Sequence, residues 1–234
     1  MLSLNLYIDN EENSRKDNYI SSSLLSIDQA IGKGILVPSV IQIFGESGSG
    51  VSSIALRMAA HKDKITLVIS TNNSIDETRL ESIVPGIKEN LIILNSSDIN
   101  IIIKSLEGLM KSDIEIDSIL VDDISSMISD DNQYKEFASL LNQVANKKHL
   151  YVILANQVRL HYTQKKMKSV KDRIFNKYVD LSLQISRIEP LRKNYTRIGI
   201  KSSIEFLNIS HRYKLIRESM KIGILFDGSF RDIQ

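Results

Sequence analysis

Three groups of residues in this chain carry chemistry by type and spacing. The stretch GESGSGVSS, residues 45–53, fits the template G-x-x-x-x-G-[K]-[S/T]. Gly45, Gly48 and Gly50 let the backbone turn tightly enough for amide N–H groups to face an anion, and a following helix adds its positive end. Ser52 places a hydroxyl where such a loop ligands Mg²⁺. Glu46, Ser47, Ser49, Val51 and Ser53 complete the candidate nucleotide-binding stretch. Where the template has lysine, this chain has Val51. The missing ammonium forfeits a charge-assisted hydrogen bond worth roughly 1.5–3 kcal/mol, so triphosphate should bind about one to two decades more weakly. A glycine-rich turn that holds no ligand is the plainer alternative.

The second group is acidic. Asp122 closes the apolar run SILV, as expected of a carboxylate that holds Mg²⁺ beside a phosphate loop. Asp122 or Asp123 could instead cap the following segment, ISSMIS. The third group is basic. Between Arg159 and Lys177 stand seven Lys or Arg and one acid, Asp172, a local net of +6 in a chain whose total is +2. Arg159, Lys165, Lys166, Lys168, Lys171 and Arg173 are the candidate phosphate contacts, with His161, Tyr162, Phe175 and Tyr178 as stacking surfaces. Part of this segment, KKMKSVKDRIFNKYV, has helical spacing, with Met167, Val170, Ile174 and Tyr178 on one face. A solvated basic helix packed by that stripe is the bland reading.

The elements that must position these groups alternate. Short apolar runs at Val40–Phe44, Ile65–Ser70, Leu91–Leu94, Ser118–Val121 and Tyr151–Ala155 are separated by amphipathic stretches at Ser53–His61, Asp76–Ile83, Asn100–Lys111 and Gln133–Lys147. That order predicts an α/β fold with a mainly parallel central sheet flanked by helices. Beyond Lys177, the runs Leu181–Ile188, Arg197–Ser203, Ile204–His211 and Lys221–Asp227 predict a C-terminal strand meander. Residues 1–19 read as a polar N-terminal tail and residues 20–234 as a single core domain. With no cysteine, disulfides and thiolate chemistry are excluded. His61, His149, His161 and His211 have no metal-ligand spacing and read as surface or edge residues. No run approaches the ~18 apolar residues of a membrane span, and an intracellular protein is expected.

YVILANQVRL, residues 151–160, adds a resemblance. A strand ending in Asn-Gln-Val-Arg, downstream of the glycine loop and of a strand ending in aspartate, resembles the RecA family of recombinases. The opening ISSSLLSIDQAIGKGILVPSVIQIFGESGSG and the C-terminal run from Thr196 to Ile233 agree; the latter is similar to compact archaeal paralogues of the RadB type. The resemblance implies a RecA-like P-loop fold over residues 20–234, with Ser52 on Mg²⁺, Asp122 as the Walker B carboxylate and Gln157 as the γ-phosphate sensor. Arg79 matches an arginine lying against adenine. The place of the catalytic glutamate falls at Asn72, give or take one residue, and an amide cannot act as a base. The segment after Gln157 matches the second DNA loop, whereas the stretch matching the first is short and acidic.

With these departures, the resemblance implies an accessory protein of DNA recombination or repair. It is expected to bind DNA, single strands above all, another RecA-like recombinase, or both, and to hold ATP or ADP with Mg²⁺ weakly or not at all. An efficient ATPase is not expected. The alternatives are a DNA-dependent ATPase whose lysine comes from elsewhere, and a structural subunit of a RecA-like complex.

Overall fold

The computed structural model describes residues 18–71, 75, 77–123, 128, 130–161, 166–169, 174, 176–188, 198–209, 212–225 and 230–232. In chain order the elements are β1 (Asn18–Ile20), α1 (Leu25–Ala30), β2 (Ile35–Val37), β3 (Ser39–Gly45), α2 (Val51–Ala59), β4 (Thr66–Ser70) and α3 (Glu77–Ile83). Then come β5 (Leu91–Asn95), α4 (Ile99–Lys111), β6 (Ser118–Asp122), α5 (Asp131–Lys148), β7 (Tyr151–His161) and β8 (Lys166–Ser169). The chain finishes with β9 (Leu181–Arg187), β10 (Ile198–Ile209), β11 (Ser219–Leu225) and β12 (Phe230–Asp232).

The main sheet runs in the order β12-β11-β10-β9-β3-β7-β6-β4-β5, and β1 and β2 form a separate ribbon. From β9 to β5 all neighbours are parallel, and β10, β11 and β12 continue the sheet antiparallel. The central strands are apolar on both faces because helices cover both. Ile41, Ile43, Val68, Leu120 and Ile153 meet α1 and α2 in one core, whereas Val40, Ile69, Val121, Val152 and Leu154 meet α4 and α5 in the other. Each fully buried isoleucine or leucine contributes roughly 1.5–3 kcal/mol. The first core extends under the meander through Ile204, Phe206, Ile222 and Ile224.

Helix starts follow their caps. Asp130 accepts from the N–H groups of Asn132 and Gln133, so α5 begins two residues before its apolar pattern does. Asp98 does the same for α4 through Asn100.

Two expectations need correction. The runs Arg197–Ser203 and Ile204–His211 are not two strands: Ile198–Ile209 is one strand, β10. No turn residue separates Ser203 from Ile204, and the alternation of Ser202, Ile204 and Phe206 towards the core runs unbroken. The basic segment does not continue as a helix from Lys166. Residues 166–169 form β8, antiparallel to residues 158–161 of β7. Strand β7 runs past the end of the parallel sheet, and pairing with β8 satisfies backbone groups that the overhang would otherwise leave without a ladder.

Two buried tyrosines tie the layers. The Tyr151 hydroxyl donates to the carbonyls of Met58 and Ala59 at 3.2 and 3.0 Å, at the end of α2. The Tyr213 hydroxyl accepts from the Leu36 N–H at 3.1 Å. Burial raises the pKa of Tyr151 well above the ordinary tyrosine range and pushes Tyr213 up to about 12, against the weaker opposing effect of hydrogen bonds. Unfolded tyrosines ionise near pH 10. Between pH 10 and 12 the folded chain therefore holds more protons, and stability present below pH 10 is lost as pH rises through that interval. Urea unfolding at pH 9 and pH 11 should show that fall, and Tyr213→Phe should reduce it.

Candidate functional site

Strand β3 ends at Gly45, whose neighbours in the sheet are Gln157 of β7 and Ile185 of β9. A Cβ on Gly45 would overlap the Ile185 carbonyl oxygen and stand 2.7 Å from Ser49 Oγ and 2.9 Å from Val51 Cγ2. Only glycine lets the loop leave the sheet here. The loop then turns through Gly48 and Gly50, at φ 76° and 96°, with the Ser49 N–H donating to the Glu46 carbonyl at 3.1 Å. Gly50 is the N-cap of α2 and supplies no side-chain acceptor to its first turn. An uncapped helix start behind a left-handed glycine turn is a seat for phosphate.

Ser52 lies in the first turn of α2, and its hydroxyl donates to Asp122 Oδ1 at 3.1 Å. Asp122 is the last residue of β6 and is buried. The ends of β4 and β6 are locked around it and onto the middle of β7: Thr71 donates through its N–H and its hydroxyl to the Asp122 carbonyl, and the Asp123 N–H donates to Ala155 O. Thr71 also donates to Asp123 O, and Asp123 takes the left-handed conformation at φ 58°. Val51, at the lysine position, is half-buried and packs against the first core, so the loop has no cation of its own. The glycine cradle, the hydroxyl and the buried carboxylate fit a magnesium-bound phosphate, for which Ser52 and Asp122 would be the oxygen donors to the metal.

The other predicted residues fare differently. Gln157 pairs with Gly45, so the backbone of the sensor position sits beside the loop. Arg79 lies in α3. In the β7–β8 hairpin, Arg159 pairs with Lys168 and His161 with Lys166. Asn72, Lys165, Lys171 and Arg173 lie outside the described residues.

His61 is not an ordinary surface residue. It is half-buried, with Nδ1 3.2 Å from Ser23 Oγ. Burial lowers its pKa, reinforced by Lys64 and Arg57 and opposed by Asp28. His149 closes α5 in the left-handed conformation, 3.3 Å from the Asn18 amide.

Contacts from the meander to the loop were not foreseen. The buried Ser202 hydroxyl of β10 donates to the Ser49 carbonyl at 2.6 Å. The Arg187 N–H of β9 donates to Glu46 Oε1 at 3.1 Å. Ile224 Cδ1 of β11 occupies the place a Cβ on Gly50 would need. One signal was present: Ser202 is a polar residue at a core-facing register position of β10.

A six-stranded parallel sheet with a phosphate-type loop after β3 and an antiparallel C-terminal extension is the RecA-like recombinase fold. The crystal structure of the RadB recombinase superposes with a TM-score of 0.73 over 92% of this chain and 100% of that one, at 17% identity. Among curated proteins, RecA of Thermosynechococcus vestitus is 23% identical over 213 residues, covering 82% of this chain and 59% of that protein. RecA of Arthrospira platensis is 24% identical over 208 residues, covering 80% of this chain and 56% of that protein. The DNA repair protein RadA of Bacillus subtilis is 25% identical over 146 residues, 59% of this chain and 32% of that one. This chain thus spans less than two thirds of the length of these curated relatives. No family model matches it. Among the described residues, no helix is long and apolar enough to cross a membrane.

Proposed function

We propose that this chain is a DNA-associated RecA-fold protein of recombination or repair that binds magnesium-bound ATP or ADP without efficient hydrolysis and acts beside another RecA-like protein. The observation that carries the reading is the Ser52–Asp122 hydrogen bond at the uncapped start of α2. It joins a hydroxyl and a carboxylate, 70 residues apart in sequence, at the mouth of a glycine cradle. In that arrangement the loop amides hold phosphate and the two oxygen donors hold the metal. Gln157, on the strand beside Gly45, links phosphate occupancy to the basic β7–β8 hairpin that begins one residue later. The metal supplies charge neutralisation to the bound phosphates. Two substitutions argue against turnover: Val51 provides no clamp for the transferring phosphoryl group, and Asn72 provides no base.

Titration of a fluorescent ATP or ADP analogue with Mg²⁺ tests this. Micromolar binding is expected, weakened at least about tenfold by Asp122→Ala through loss of the metal's carboxylate. Absence of binding at millimolar nucleotide, or binding indifferent to Asp122, would overturn the nucleotide reading.

A second reading, a structural partner subunit, is favoured by one observation. Strand β5 is a sheet edge, and it exposes Ile92 by 43% and Ile93 by 36%, one on each face. A bare apolar edge suits pairing with another chain. Under that reading a complex with a RecA-like protein forms without nucleotide or DNA.

A further inference from the structure

The geometry points to Ser202 as a positioning residue for the phosphate loop: its hydroxyl holds the Ser49 peptide so that the loop keeps its anion-accepting form without a lysine. This rests on the reading of residues 45–53 as a phosphate site.

In an ordinary loop of this kind the lysine side chain spans the turn and the bound phosphates it contacts help to order the backbone. Val51 can do neither. This chain instead ties the loop from outside, through three strands of the meander. The Ser202 hydroxyl, fully buried, donates to the Ser49 carbonyl at 2.6 Å, shorter than the 3.1 Å Arg187–Glu46 bond. A peptide group is planar, so fixing the Ser49 carbonyl towards β10 turns the Gly50 N–H the opposite way, away from β10. The Arg187 N–H anchors Glu46 on the near side of the turn. Ile224 closes over Gly50, where no Cβ stands in its way.

One further detail agrees. Ser49 is fully buried, yet its hydroxyl has no hydrogen-bond partner among the described residues. Burying an unsatisfied hydroxyl is costly, and this one is enclosed by the frame, 2.7 Å from where a Cβ on Gly45 would stand. The carbonyl of Ser49 is thus spent on the frame, while the following N–H is left for the ligand. Ser202 touches no ligand. It acts through the Ser49 peptide.

The experiment compares wild type, Ser202→Ala and Ser202→Thr by Mg-ADP affinity, by amide hydrogen exchange of residues 46–52, and by thermal unfolding. Ser202→Ala should weaken Mg-ADP binding about tenfold and speed exchange of the loop amides by a similar factor, because the Ser49 carbonyl loses its donor. Exchange along the β9–β10 ladder should stay unchanged, and Ser202→Thr should restore both readouts in part. Loop exchange equal in wild type and Ser202→Ala overturns the assignment, as does faster exchange spread evenly over the whole meander. If wild type binds no Mg-ADP at millimolar concentration, the nucleotide reading fails, and the exchange comparison still decides whether Ser202 shapes the loop.

Discussion

Val51→Lys should tighten ATP binding by about one to two decades relative to wild type, measured by titration in Mg²⁺. The restored ammonium makes a charge-assisted bond to the terminal phosphates, worth roughly 1.5–3 kcal/mol. ADP, which lacks the γ-phosphate, should gain less. The fold tolerates the change, because Val51 is half-buried at the edge of the first core and a lysine can lay its stem along the same apolar surface while its amine reaches out. Hydrolysis should remain slow in the variant, since Asn72 still cannot serve as a base. Equal ATP affinity in wild type and Val51→Lys would mean that the cradle is not a phosphate site.

The largest loss of stability is expected from Gly45→Ala. The new methyl meets the backbone oxygen of Ile185, which cannot rotate away as a side chain can, and crowds Ser49 and Val51. Either β9 or the loop must shift, at a cost of about 3 kcal/mol or more, and the phosphate cradle loses its shape with it. Gly48→Ala is the informative control. Nothing lies within 4 Å of its Cβ position, so only the left-handed backbone at φ 76° opposes it, about 1–2 kcal/mol. Chemical denaturation of both variants should rank them in that order. The reverse order would mean that conformation, not close packing against β9, governs the turn.

The strand-loop-helix unit and the carboxylate-ended strand β6 were legible because each is local. Apolar runs of four to seven residues, glycines at fixed spacing and an aspartate closing a strand are all written within a few residues. Placing Ser52 and Asp122 at one site follows from the phosphate-loop template and from the resemblance to the RecA family. The β8 hairpin was not legible, because the preference of residues 166–169 was decided by the unpaired overhang of β7, several residues away. The helical spacing was not empty, however: Ile174 is buried and Tyr178 packs against the α5 core. Charged and polar residues interrupt the apolar pattern of β10, and for that reason the sequence predicts two strands there. Across Ser202, Ile204 and Phe206 its inward positions nonetheless alternate. The ties from Ser202, Arg187 and Ile224 to the loop join residues more than 140 apart, and no local pattern encodes them.

The cover that Ile224 places over Gly50 has a consequence for the order in which the molecule is made. Strand β3 and helix α2 emerge early in synthesis, but the atoms that pin their connecting loop belong to strands some 150 residues later. The Leu36 N–H likewise finds its acceptor only when Tyr213 arrives. A nascent chain therefore exposes a glycine-rich turn without a frame until β9, β10 and β11 have left the ribosome and zipped onto the edge of β3. Closing such distant pairings is slow. The pinned form of the loop is consequently a late acquisition, gained in the same step that seals the first core.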